Sequence, residues 1–147
     1  LLIAGDETGL RHVSFEESHF SAPVTTPRDD WELNEKPLRD AVRQLKSYFS
    51  GKLRVFDVPL AAEGTEFQQR VWNALCQVPW GATASYGEIA RTVGNPKASR
   101  AVGLANGRNP IAIIVPCHRI IGSSGKLIGY GGGLQHKQTL LKLEGVA

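Results

Sequence analysis

Apolar positions recur with a helical period at five places in this 147-residue chain, and turn formers fill the gaps between them. Leu38, Ala41, Val42, Leu45, Tyr48 and Phe49 share one face after Pro37, a residue suited to a first helical turn, and Gly51 closes that helix. Phe67, Val71, Leu75 and Val78 form a second stripe. It opens on the capping-box pattern Thr65-Glu66-Phe67-Gln68 and stops before Pro79. Cys76 lies beside this stripe and is expected to pack as a small hydrophobe. A second capping-box pattern, Ser85-Tyr86-Gly87-Glu88, opens a short helix carrying Ile89, Ala90 and Val93 that ends at Gly94-Asn95. Pro96 starts the next helix, Lys97 to about Asn106, on which Ala98, Val102 and Ala105 face the core. Lys137, Leu140, Leu141 and Leu143 mark a terminal helix capped by Gly145. At the other end, Leu1–Ala4 and Leu10–Phe15 flank a Gly5–Gly9 turn and read as a hairpin, and Leu53–Leu60 is a further strand candidate. The sum is an α/β (α+β) chain. A small sheet-plus-helix lobe covers residues 1–60, and a mostly helical lobe covers 65–147.

One stretch breaks the pattern. Ile113-Ile114-Val115 reads as a buried, β-branched strand, and Pro116 must stop or kink it. Cys117, His118 and Arg119 follow before the apolar pair Ile120-Ile121. A thiol and an imidazole thus sit side by side at the end of an apolar segment. A lone cysteine is most often a buried small hydrophobe, but neighbouring cations favour the thiolate, which is the nucleophilic form. Cys117 is therefore a candidate nucleophile.

The short helices on either side of Gly94-Asn95 form a helix-turn-helix candidate. On the second, Ser99, Gly103 and Asn106 make a face of small residues beside Arg100. An interior glycine costs a helix about 1 kcal/mol relative to alanine. Such a face suits close approach to another backbone. Charge adds to this picture: residues 1–64 hold 8 Lys/Arg against 11 Asp/Glu, whereas residues 65–147 hold 9 against 3. A basic second half suggests a polyanionic partner for that half.

Composition mostly excludes. No apolar run approaches membrane-spanning length, and no export leader is visible, so neither a membrane nor secretion is expected. Two cysteines in a chain of this size fit a reducing compartment, and four scattered histidines without a Cys-x-x-Cys offer no zinc site. No metal or other cofactor is expected. The chain has no methionine and opens within an apolar run, so an N-terminally incomplete chain is expected.

Pro116-Cys117-His118-Arg119, with Asn109-Pro110 before it and Tyr130-Gly131-Gly132-Gly133 and Glu144-Gly145 after it, resembles the O6-alkylguanine-DNA alkyltransferase family over roughly residues 65–145. The resemblance implies a cytoplasmic, monomeric repair protein. It would bind double-stranded DNA through the minor groove and move the alkyl group of O6-alkylguanine to Cys117 once, irreversibly; O4-alkylthymine is a further candidate substrate. It also implies roles. His118 would be the base, acting through a water, and Glu144 its orienter. Arg100 would fill the gap left by a flipped nucleotide, with Ser99, Gly103 and Asn106 on the same DNA-facing helix. Tyr86 would help turn the nucleotide out and donate to guanine N3. Asn109 would tie the recognition helix to the active-site turn, Val115 would offer a carbonyl to the base edge, and Tyr130 and Gly131 would wall the alkyl pocket. Many members carry a serine where Gly131 stands, so a hydroxyl contact to O6 is absent here. Arg119 is expected to serve structural hydrogen bonding.

Two other functions fit parts of the pattern. A non-enzymatic binder of alkylated DNA would share the helix-turn-helix but lack the acceptor cysteine, which this chain has. A Cys-His-Glu hydrolase would explain the triad but not the Arg100 helix or the basic half. Glu144 is also the residue for which local physics argues otherwise. A carboxylate in the last turn of a helix meets the negative end of its dipole, so an exposed, screened position is the alternative.

Overall fold

The computed structural model describes residues 1–15, 31–34, 36–122 and 134–146. Strands β1 (Leu2–Asp6) and β2 (Gly9–Ser14) form the expected antiparallel hairpin, with Ile3 opposite Val13 and a register shift between Ala4 and Gly5. The far edge of β2 does not stay open. Leu10 exchanges backbone bonds with Pro59 and Ala61, and Val13 with Pro110 and Ala112, each 2.8–2.9 Å. One strand therefore holds both the segment leading out of the N-terminal lobe and the segment leading into the Cys117 turn.

Helix α1 (Arg39–Phe49) follows a 3-10 turn at Lys36–Leu38 and buries Ala41, Gln44, Leu45 and Tyr48. The strand expected at Leu53–Leu60 is a correction. Only Leu60 makes a bridge, because a side chain has taken the ladder's place. Gln44 accepts from Asp57 N (2.8 Å) and donates to Asp57 O (2.9 Å).

The C-terminal lobe begins with α2 (Glu66–Leu75), whose capping box forms in full between Thr65 and Gln68. Trp72 on this helix donates its indole N–H to Ala105 O at 2.9 Å, fastening α2 to the helix-turn-helix. Strand β3 (Ala84–Ser85) leads into α3 (Tyr86–Thr92), with Ser85 Oγ accepting from Glu88 N. Gly94 makes the turn at φ +85°, where any side chain would be strained. Then comes α4 (Ser99–Gly107). Strand β4 (Ile120–Ile121) pairs in parallel with β3, and α5 (Leu134–Leu143) closes the described chain. Val71, Leu75, Val102, Ile111, Ile120 and Leu140 belong to one shared core with Val13 and Leu45 of the first lobe. Cys76 is exposed, which corrects the expectation that it packs inside. It follows the last residue of α2, where the helical periodicity no longer directs it inward.

The third correction concerns Ile113–Val115. These residues are buried as expected but form a turn, not a strand. Ile113 has φ +72°, a conformation costing a β-branched residue on the order of 1–3 kcal/mol. The turn persists because its polar groups are met from within. Asn109 Nδ2 donates to Val115 O (2.8 Å) and Ile111 O (3.3 Å), and Asn109 Oδ1 accepts from Ile111 N (3.0 Å). Val115 N bonds Ile111 O, and Cys117 N bonds Val115 O at 2.8 Å. Asn109→Ala removes the side chain that holds this turn, leaving buried groups unpaired. It should cost about 2–3 kcal/mol, read as a lower urea midpoint at unchanged slope.

Candidate active site and nucleic-acid interface

The turn delivers Cys117 into a single 3-10 turn, Cys117–Arg119, in which successive side chains diverge by about a third of a revolution. That is how neighbours in sequence serve one site without the opposition a strand would impose. Cys117 is 6% exposed and His118 fully buried. His118 Nε2 lies 2.7 Å from Glu144 Oε2. An ionised carboxylate only accepts, so Nε2 carries the hydrogen and Nδ1 keeps its lone pair. That Nδ1 is buried and has no protein partner. Burial chiefly lowers the His118 pKa, and Arg119 and Lys137 add to it against the pull of Glu144. The imidazole is thus neutral at rest, able to accept a proton.

Glu144 answers the question its position raised. It turns inward, 2% exposed. Gly145 ends the chain's last turn at φ +83°, and Val146 N reaches back to Leu141 O at 2.8 Å. The carboxylate receives Arg119 Nε on Oε1 (2.7 Å) and Arg119 Nη2 on Oε2 (3.0 Å), besides His118 and the Tyr48 hydroxyl (2.5 Å). These donors outweigh burial, which acts the other way, and hold its pKa down at about 2. Arg119 also donates to Val78 O at 2.6 Å, so the structural role expected of it is what its contacts describe.

Two residues of the site escaped sequence reasoning. Lys137 is fully buried, its ammonium on Ile120 O, and burial drives its pKa down to about 8 while the Cys117 thiolate draws it back up. By reciprocity that ammonium favours the thiolate. The available signal was a lysine on the apolar stripe of α5. Tyr48 looked like one more apolar position of α1; nothing in the local pattern pointed to its partner.

Tyr86 opens α3, half-buried, and its ring edge faces Gly103 of α4. Burial and, secondarily, the Cys117 charge raise its pKa, so it keeps its proton. Arg100 is exposed, and Ser99 and Gly103 are half-buried beside it. Asn106 leaves the exposed face expected of it. It is 5% exposed, and its Nδ2 points to Cys117 O at 3.5 Å, because the last turn of α4 packs against the Cys117 turn. Val115 O already accepts from Asn109 and from Cys117 N. Tyr130 and Gly131 lie outside the described residues. Among the described residues no cluster of His, Cys, Asp and Glu could hold a metal, and no helix is long and apolar enough to cross a membrane.

A buried thiol, a neutral, carboxylate-held imidazole next to it in sequence and a helix-turn-helix packed against their turn point to a nucleic-acid-binding protein with a candidate cysteine nucleophile. The comparisons are more specific. Residues 66–146 match the DNA-binding domain of 6-O-methylguanine DNA methyltransferase, and residues 1–62 its ribonuclease-like domain. The chain is 61% identical over 145 residues to a methylated-DNA--protein-cysteine methyltransferase of Methanosarcina acetivorans, covering 99% of this chain and 91% of that one. The crystal structure of Mycobacterium tuberculosis OGT in complex with DNA superposes with a TM-score of 0.88 at 54% identity, covering 97% of this chain and 84% of that one. Schizosaccharomyces pombe Atl1, in complex with damaged DNA containing O6-carboxymethylguanine, matches less well, with a TM-score of 0.52 at 38% identity over 58% of this chain and 81% of that one. The chain belongs to the 6-O-methylguanine DNA methyltransferase family. Its activity is DNA repair by transfer of an alkyl group to a protein cysteine, and the two-lobed α/β fold expected from the sequence is the family's.

The buried charges make stability depend on pH in a defined direction. His118 is held below its ordinary value of 6.5, so the unfolded chain takes up that proton first as pH falls. Glu144, at about 2 against 4.5, does the same lower down. Both shifts favour the folded state at neutral pH, and both contributions fade on acidification. Thermal unfolding should therefore show a midpoint that declines from about pH 6.5 and keeps declining through pH 4.5. A flat profile over that range would contradict these shifts.

Proposed function

We propose that Cys117 is the acceptor, and that it takes the alkyl group of O6-alkylguanine from double-stranded DNA once per molecule, as a monomer in the cytoplasm. The observation that carries this is the Cys117–His118–Glu144 arrangement. The thiol is followed in the same 3-10 turn by a neutral imidazole whose Nδ1 is open to accept a proton, and behind that imidazole stands an ionised carboxylate held by Arg119 and Tyr48. The thiol proton passes to His118, through one water if the family arrangement holds. Sγ then attacks the alkyl carbon, the S–C bond forms and the C–O6 bond breaks, its electron pair staying with guanine. The base takes up one proton and leaves neutral, helped by a hydrogen bond from Tyr86 to N3. The product is a thioether, whose carbon is a poor electrophile, and no group of the site activates water against it. One turnover follows.

The alkylated O6 lies within the base stack, so the nucleotide must be extruded first, at a cost of a few kcal/mol. Arg100, exposed on α4, is suited to fill the gap, with Ser99 and Gly103 allowing α4 to lie close to the minor groove. Asn106 is assigned to the back of this helix, supporting the Cys117 turn with Asn109. Val115 O serves the base edge only by sharing an acceptor already engaged. Tyr130 and Gly131 are retained as walls of the alkyl pocket. A protein that only bound the lesion would need no such thiol and base, and that reading is not favoured.

Intact-protein mass spectrometry after incubation with an O6-methylguanine duplex should show one added methyl group and no further increase. Cys117→Ser should abolish the gain and retain DNA binding; methylation mapped to Cys76, or repeated turnover, would overturn the assignment. Glu144→Gln should slow transfer on the order of 10²-fold, by analogy with the orienting carboxylate of hydrolase triads. Arg100→Ala should slow repair of duplex far more than transfer from the free O6-methylguanine base. Equal losses on both would make Arg100 structural. Duplex affinity should also fall with salt, as phosphate contacts require.

A further inference from the structure

Tyr48 stands 96 residues before Glu144 in sequence and belongs to α1 of the N-terminal lobe. Its ring is fully buried and fixed by three aromatic neighbours: Phe49 and Trp80 edge-on at 5.3 Å, and Phe56 tilted at 5.5 Å. A ring held this way gives its hydroxyl almost no freedom. The hydroxyl meets Glu144 Oε2 at 2.5 Å, the same oxygen that holds His118 Nε2. A tyrosine that merely needed a partner could have used a backbone carbonyl or the surface. Burial raises the Tyr48 pKa first, and Glu144 raises it further, so the phenol remains a donor throughout the working pH range.

Arg119 alone would hold the carboxylate in the plane of its guanidinium. Tyr48 adds a second anchor on Oε2, the oxygen that meets the imidazole, from the other lobe. We propose that Tyr48 is a positioning residue for alkyl transfer, with which the N-terminal lobe fixes Glu144 and thereby sets both the orientation and the basicity of His118. This rests on the reading of Cys117 as acceptor and His118 as its base. Each donor on Oε2 draws charge away from the His118 N–H. Removing the hydroxyl leaves the carboxylate a stronger acceptor toward the imidazole, which becomes more basic but less well aimed. The other groups acting on His118 are Arg119 in its own turn and Lys137 from α5, both of which oppose its protonation and neither of which changes in the variants below.

The test is single-turnover methyl transfer from an O6-methylguanine duplex as a function of pH. Tyr48→Phe keeps the ring and its packing. Its maximal rate should fall on the order of 10-fold, and the acid limb set by His118 should move to higher pH. Site-specific 3,5-difluorotyrosine at position 48 keeps the hydroxyl and makes it a stronger donor, so that limb should move to lower pH. Because Tyr48 acts through Glu144, the double variant Tyr48→Phe/Glu144→Gln should be no slower than Glu144→Gln alone. Unchanged rate and limb in both single substitutions, or losses that simply multiply in the double variant, would overturn the proposal while leaving Cys117 as acceptor. If Glu144→Gln itself transfers at the unmodified rate, the reading of the triad falls and this proposal with it.

Discussion

The Glu144 carboxylate is the anion on which the rest of this structure depends. It is buried at the end of α5, where the helix dipole disfavours it, and it survives there because donors surround it. Those donors come from two places: Tyr48 on α1, and His118 and Arg119 in the 3-10 turn that also bears Cys117. Arg119 extends the same network to Val78 just beyond α2. Removing one partner from such a cluster exposes the others to an uncompensated buried charge, typically at a cost of about 3–5 kcal/mol. The two lobes are therefore joined at the Glu144 carboxylate, as well as along the edge of β2.

The strained turn before Cys117 is a second constraint with a chemical return. A strand through residues 113–115 would have sent Cys117 and His118 to opposite faces. Ile113 at positive φ breaks that alternation, and Asn109 meets the polar groups the turn leaves behind. The 3-10 turn that follows keeps the thiol near the helix-turn-helix while the imidazole points toward Glu144. Tyr86 lies within electrostatic reach of Cys117 and Asn106 at the end of α4 reaches the Cys117 carbonyl, so the element that would grip DNA and the Cys117 turn are one packed unit.

Much of this is legible in the amino-acid pattern itself. The hairpin and the helices follow from periodicity, caps and glycine stops, and all fall within a few residues of where the pattern puts them. The failures have physical causes. Apolar, β-branched runs signal burial more faithfully than they signal a strand, and at Ile113–Val115 only the burial is realised. Leu53–Leu60 loses its ladder to the Gln44 side chain, a contact no local pattern records. Asn106 was placed on an exposed face by helical spacing alone, which cannot tell a DNA-facing amide from one that serves a neighbouring turn. Lys137 and Tyr48 read as part of apolar stripes and are indeed buried there. What the stripe hides is that each carries one polar atom to the end of a hydrophobic stem.

Burial also changes what the charge count means. The second half carries a net charge of +6 by sequence, from 9 basic and 3 acidic residues, which suggests a uniformly basic face. Arg119 and Lys137 are withdrawn from that face into the site. What remains exposed around the helix-turn-helix is Arg91, Lys97, Arg100 and Arg108, all on or beside α3 and α4. The polyanion-facing charge is thus narrower than composition implies, and it lies where the thiol is. Inside, Arg119 binds the Glu144 carboxylate, His118 is neutral, and the Lys137 ammonium rests on Ile120 O. Lys137 acts electrostatically on Cys117, and an ammonium near a thiol favours its thiolate, so the same burial that withdraws this cation from the DNA face sets it where it favours that form.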